Sequence, residues 1–138
     1  MNLNQLVKIT ISALEDIKAS DIEILDVTKR KTIFDRMIIA SATSTRQAKA
    51  MANNVHDKVK ESGGVSYGTE GETSGEWVLV DLGDVLVHIM LPDVRTYYDL
   101  EGLWSELETG AVEQQVTADQ SKDNSVLGSN RLLANLVT

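Results

Sequence analysis

At 138 residues, with 42% apolar and 25% charged side chains, the chain has the makeup of one soluble globular domain with a real core. It contains no cysteine, which excludes disulfides, thiolate zinc sites, iron–sulfur clusters and cysteine nucleophiles, and no apolar run reaches the roughly 18 residues of a membrane span. The net charge of −8 is concentrated: residues 69–108 carry ten acids against one base, Arg95, whereas residues 1–68 carry ten bases against eight acids. Phosphate binding needs clustered Lys and Arg, so the acidic half argues against a nucleic-acid platform and suits a basic partner. No basic patch followed by an apolar stretch opens the chain, so no secretory signal is expected and a cytoplasmic address fits.

In chain order, Leu3, Leu6, Val7, Thr10, Ala13, Leu14 and Ile17 recur at helical spacing and predict an amphipathic helix over residues 3–18, with Asn2 as N-cap and Gln5, Lys8, Ser12 and Glu15 on its solvent face. Residues 22–27 form a short strand rich in β-branched residues. The basic run at 28–32 is read as a solvated connection rather than a phosphate contact. Residues 37–41 are continuously apolar up to Ser41, the pattern of a strand buried on both faces. Ser44 and Gln47 then fit a capping box at the start of a second helix running to about residue 62, with Ala48, Met51, Ala52, Val55 and Val59 as its buried stripe and Gly63-Gly64 as its stop. The small residues Ala40, Ala42, Ala48 and Ala52 let this helix lie close to the sheet. Its N-terminus also offers an anion site, but the turn has neither glycine nor a following Lys, so it is no P-loop.

Residues 65–70 add an edge strand and 71–75 a loop. Strands at 77–82 and 85–91 then pair as a hairpin around Gly83. Alternation puts Val78, Val80, Leu82, Val85, Val87, Ile89 and Leu91 on one purely aliphatic face. The other face carries Trp77, Leu79, Asp81, Leu86, His88 and Met90, and is either covered by a helix or left open as an apolar patch with polar members. Pro92 suits the first position of a helical turn. Tyr97, Leu100, Leu103 and Trp104 are spaced to fold back on a core. The composition turns polar after residue 108, so the expected domain is 1–108, followed by a polar tail at 109–138 in which 131–137 can form a short docking helix or a frayed end.

Few residues carry chemistry. His56 is expected at a helix boundary, and His88 as a packed or interface residue. Asp81, Asp84 and His88 can be read as a metal or acid–base site. No third ligand at suitable spacing and no nucleophile accompany them, and Asp beside Gly is what a tight turn prefers. Arg95 is expected to pair with a carboxylate of its own acidic segment.

Together the segments resemble the ribosomal silencing factor family, also called the Iojap family, from about Leu3 to Ser105. The resemblance rests on Lys18-Ala-Ser-Asp-Ile22, Leu25-Asp-Val27, Asp35, Ile38-Ile-Ala-Ser41 and Thr43-Ser44-Thr-Arg-Gln47. Its most specific blocks are Glu70-Gly71, Trp77-Val-Leu-Val-Asp81, Gly83-Asp84-Val85, Val87-His88 and Tyr98-Asp-Leu-Glu-Gly-Leu-Trp104. Arg36, Ala42 and Met90-Leu91 depart from the family pattern. The resemblance implies an α+β domain, a mixed sheet packed with helices in a nucleotidyltransferase-like fold. The Gly-Ser and Asp-x-Asp machinery of such enzymes is missing, since Gly128-Ser129 lies in the tail. It also implies the activity: binding a ribosomal protein on the joining face of the large subunit, so that the small subunit cannot dock and translation is damped. No enzyme activity, cofactor, metal or membrane association is expected.

On this reading Trp77, Leu79, His88 and Met90 supply the desolvated centre of the partner-binding surface, and Asp81, Asp84, Tyr97, Tyr98 and Glu101 supply its acidic and aromatic rim. A rival reading is a nucleotide-binding or nucleotidyltransferase-like enzyme using the Ser44 helix start and the hairpin acids. A third is a homodimer that pairs the exposed hairpin face with itself, a storage form hiding the ribosome-binding surface.

Overall fold

The computed structural model describes residues 1–28 and 33–103. Trp104, the tail at 109–138 with its docking turn at 131–137, and most of the 28–32 connection lie outside the described residues. Helix α1 (Leu3–Asp16) is followed by β1 (Ser20–Asp26) and β2 (Arg36–Ser41), then α2 (Thr45–Glu61), β3 (Gly68–Glu70), β4 (Trp77–Asp81), β5 (Val85–Met90) and α3 (Pro92–Tyr98). The strands form one sheet in the order β1-β2-β5-β4-β3. Only β2 and β5 run parallel, joined by the crossover that contains α2, so the sheet is mixed and the class is α+β, as expected.

The helices form where the apolar spacing places them, and their ends are tied by side chains. Asn2 Oδ1 accepts from the Gln5 backbone N–H at 2.8 Å, and the Gln5 side chain accepts from the Asn2 N–H at 3.0 Å. Gln5 is thus half of a capping box rather than plain solvent surface. The box expected at α2 is only half formed. Ser44 Oγ accepts from the Gln47 N–H at 3.0 Å, but the Gln47 carbonyl turns to Thr43 and its amide donates to the Ile17 carbonyl at 2.9 Å. Gln47 therefore joins α2 to the end of α1, as does Asn54, whose amide donates to the Ala13 carbonyl at 2.8 Å. Gly63 ends α2 in the left-handed region (φ 90°), the stop that the Gly63-Gly64 pair predicts.

Both sheet faces are covered. On one, α1 and α2 pack Leu14, Ala48, Met51, Ala52, Val55 and Val59 against Ile38, Ala40, Val78, Val80, Val87 and Ile89. Ala40, Ala42, Ala48 and Ala52 are all buried in this layer, which is the close approach that their size allows. Each fully buried Leu, Met or Ile contributes about 1.5–3 kcal/mol. The second layer is smaller and gathers Val27, Phe34, Met37, Ile39, Trp77, Leu79, Leu86, Met90 and Leu100, with Val94, Tyr98 and Leu103 packed onto it.

Candidate partner-docking face

The hairpin alternation is as read: Trp77, Leu79, Leu86, His88 and Met90 share one face, with Trp77 opposite Met90, Leu79 opposite His88 and Asp81 opposite Leu86. The expectation that this face stands open is corrected. Trp77, Leu79, His88 and Met90 are all buried, with at most 1% of their surface exposed. Three things cover them. Phe34, the only phenylalanine of the chain, enters from the segment before β2. Pro92 starts α3 at its first turn, as expected, bringing Val94 and Tyr98 onto the layer. Asp99 then takes a left-handed conformation (φ 44°) and reverses the chain, so that residues 100–103 resume helically with Leu100 buried and Leu103 against the same layer. Asp99 steadies this reversal, its side chain accepting from the Gly102 N–H at 3.2 Å and its carbonyl from the Leu103 N–H at 2.9 Å. Tyr97, expected to fold back on the core, points outward instead and is 71% exposed; Tyr98 makes the inward contact.

Within the buried layer, Trp77 Nε1–H donates to His88 Nδ1 at 2.9 Å. Accepting at Nδ1 requires a lone pair there, so the imidazole proton sits on Nε2. Nε2 is buried and has no hydrogen-bond partner among the described residues. Burial lowers the His88 pKa from 6.5 to about 3, so the ring is neutral at physiological pH. The bond to Trp77 contributes about 0.5–1.5 kcal/mol net, while the orphaned N–H costs about 1–3 kcal/mol. His88 is therefore no net asset to stability. The close approach of Gly71 also seats Trp77: at φ 86°, a Cβ on Gly71 would lie 2.1 Å from the Trp77 carbonyl oxygen.

The expected rim divides between the two ends of the hairpin. At the turn, Asp81 Oδ1 accepts from the Gly83 N–H at 2.9 Å, a local turn bond, and Asp84 is exposed while its carbonyl accepts from the Asp35 and Arg36 N–H groups at 2.8 and 3.1 Å. At the far end, Tyr97, Tyr98 and Glu101 gather on α3 and the turn after it. The acid–base reading of Asp81, Asp84 and His88 loses its geometry, because His88 is sealed in the core and committed to Trp77. Among the described residues no group of three or more His, Asp or Glu is placed to hold a metal.

Arg95 pairs within its segment, as expected. Its guanidinium grips Glu101 Oε2 with two bonds of 3.0 and 3.1 Å, and also donates to Ser41 Oγ at 2.9 Å and to the Asp21 carbonyl. Sequence reasoning assigned no role to Ser41, the buried hydroxyl at the end of β2 that takes this bond. The clasp forms the floor of a polar groove edged by Asp21, Glu23, Pro92, Thr96 and Asp99. On the other side of α3, Ser74, Glu76, Trp77, Asp93, Val94, Tyr97 and Tyr98 line a shallow, mostly apolar cleft of about 230 Å³. An exposed aromatic ring thus stands between two acid-edged depressions.

The family model described as "Ribosomal silencing factor during starvation" matches residues 1–131. The chain belongs to the ribosomal silencing factor family. It is 56% identical over 104 residues to a ribosomal silencing factor of Chromobacterium violaceum, across 75% of this chain and 85% of that one. The crystal structure of a Chromobacterium violaceum protein, 55% identical, superposes with a TM-score of 0.74 over 76% of this chain and 88% of that one. A mouse protein named for mitochondrial assembly of the ribosomal large subunit is 31% identical over 123 residues, 86% of this chain and 53% of that one. The sheet and the Arg95–Glu101 clasp are thus the frame on which the exposed acids and Tyr97 of this chain are mounted.

Proposed function

We propose that this protein is a cytoplasmic translational repressor that binds a basic ribosomal protein on the joining face of the large subunit and keeps the small subunit from docking. Membership of the silencing family supports the process, and the name of the mouse relative supports the large subunit as the target. The observation that carries the docking reading is the α3 surface, where Tyr97 stands exposed beside Glu76 and Asp93 while the nearby Arg95 is neutralised by Glu101. An aromatic side chain anchors well in a partner's pocket, and an acidic surround steers a basic partner and suppresses acidic ones. Tyr97 makes the main contact with Glu101 beside it, Tyr98 backs Tyr97 from the layer beneath, and Asp84 with Asp81 adds an acidic outpost at the hairpin turn. Trp77, Leu79, His88 and Met90 support that surface from beneath. The protein acts by occupying the site, without catalysis or cofactor.

Gradient sedimentation with purified ribosomal subunits tests this. The protein is expected to co-migrate with large subunits and to lower the fraction of joined ribosomes. Tyr97→Ala and Asp84→Lys should each weaken co-migration while the chain stays folded. Undiminished joining at saturating protein would sink the repressor reading, and full binding by both variants would sink the docking face.

A further inference from the structure

Four rings run in contact from the core to the surface. His88 bonds Trp77, with ring centroids 5.7 Å apart; Trp77 packs on Tyr98 at 4.7 Å; and Tyr98 meets Tyr97 edge-on at 4.9 Å and 82°. The last ring is the most exposed, Tyr98 is half-buried, and only the first contact is a directional hydrogen bond. We infer that His88 is a positioning residue for docking: by accepting the Trp77 indole N–H, it sets the ring on which Tyr98 rests and so fixes where Tyr97 is presented. This inference rests on the docking reading given above.

Apolar packing on the indole is non-directional, whereas its N–H bond to His88 has a strict donor–acceptor direction and so adds an orientational constraint that packing alone does not supply. Stability alone gives no reason for an imidazole here. An aliphatic side chain would fill the site without leaving in the core an Nε2–H that, as in His88, has no partner among the described residues. The neighbouring side chains of the layer, Leu79, Leu86 and Met90, offer Trp77 no comparable acceptor. Tyr98 follows the indole because their rings are in direct contact, and Tyr97 follows because it adjoins Tyr98 in sequence and in edge-to-face packing.

The test is a double-mutant cycle on large-subunit binding, using the full chain with His88→Leu, Tyr97→Ala and both together. His88→Leu is expected to weaken binding roughly tenfold in the parent and to cause no further loss in the Tyr97→Ala background. His88→Asn, whose side-chain carbonyl can replace Nδ1 as acceptor, should recover most of the binding. The Trp77 indole N–H resonance should move in His88→Leu and stay near its parent position in His88→Asn. If His88→Leu does not fold, Trp77→Phe removes the same bond from the donor side and should show the same dependence on Tyr97. Additive losses, or parent-like binding by a folded His88→Leu or Trp77→Phe, overturn the inference. Loss in Tyr97→Ala with none in these variants removes the positioning role alone. Parent-like binding by Tyr97→Ala removes the Tyr97 contact and the positioning role with it, and the docking face as a whole falls if Asp84→Lys also binds like the parent.

Discussion

The two faces of the sheet are covered in different ways. The α1/α2 face is closed by two long capped helices over an apolar layer without aromatic rings among the described residues, and its buried Thr10 hydroxyl donates to the Leu6 carbonyl at 2.8 Å. The α3 face is closed by one short helix, a reversed turn and Phe34, and it contains an aromatic ring stack, a neutral buried histidine and an arginine clasp. Non-directional packing suffices where the only task is burial. Directional contacts are worth their desolvation where buried side chains must also fix the shape of an exposed surface. On this view a defect on the first face costs stability alone, and a defect on the second costs stability and docking together.

Core truncation is the strongest way to break that comparison. Leu14→Ala on the helical face should cost about 2–5 kcal/mol in chemical denaturation, and Trp77→Ala on the α3 face about 3–5 kcal/mol. At a temperature where both variants remain folded, Leu14→Ala should bind large subunits as the parent does, and Trp77→Ala should bind them poorly. Equal binding by the two would erase the functional difference between the faces.

The clasp gives a smaller and more local effect. Arg95→Ala removes the partner of the Glu101 carboxylate, whose other oxygen is buried with no partner among the described residues, and the donor to the Ser41 hydroxyl. About 2 kcal/mol should be lost. Amide exchange should quicken at Leu103, whose N–H bonds the Asp99 carbonyl, and stay slow in α2. Uniform quickening would mean that the clasp serves the whole fold rather than the α3 face.

His88 should make the α3 face sensitive to acid. Its folded pKa lies near 3, below the 6.5 of an exposed imidazole, so between these values the unfolded chain binds a proton that the folded chain does not. Stability therefore falls as the pH falls from 6.5 toward 3, by up to about 1.4 kcal/mol per pH unit from this group, and His88 adds no slope above 6.5. His88→Asn, which does not titrate, should flatten the acid limb of the denaturation profile by that amount. An unchanged limb would show that the folded chain relaxes to solvate the imidazole.

Much of this division was legible in the sequence, and the missing part has a physical cause. Alternation with a period of two sorted the hairpin into its two faces correctly, because a pleated strand leaves no other choice. Helix periodicity and the alanine positions identified the cover of the first face. The cover of the second depends on contacts that are not periodic. Phe34 is a single aromatic outside any regular element, and the reversal at Asp99 needs a positive φ in a residue other than glycine. Alternation alone leaves a helical cover and an open patch equally possible, and the partner-surface reading of Trp77, Leu79, His88 and Met90 takes the open one. A lone phenylalanine just before a buried strand, and Leu100 and Leu103 spaced after a proline-started helix, were the available signals. Arg95 was paired correctly because it is the one base among ten acids in its segment.

The smallest stability effect carries the sharpest functional contrast. Tyr97 and Tyr98 are adjacent, yet the turn of α3 sends one into solvent and the other onto Trp77. Tyr97→Ala removes an exposed ring and should change unfolding free energy by no more than about 0.5 kcal/mol. Tyr98→Ala strips packing from the second layer and should lower stability measurably. Both should weaken large-subunit binding, for different reasons: the first removes the contact, the second its support. Adding an aromatic back at residue 97 as Tyr97→Phe separates shape from hydroxyl chemistry. Recovery would assign the docking energy to the ring itself, whereas continued loss would place it in a hydrogen bond from the phenol to the partner.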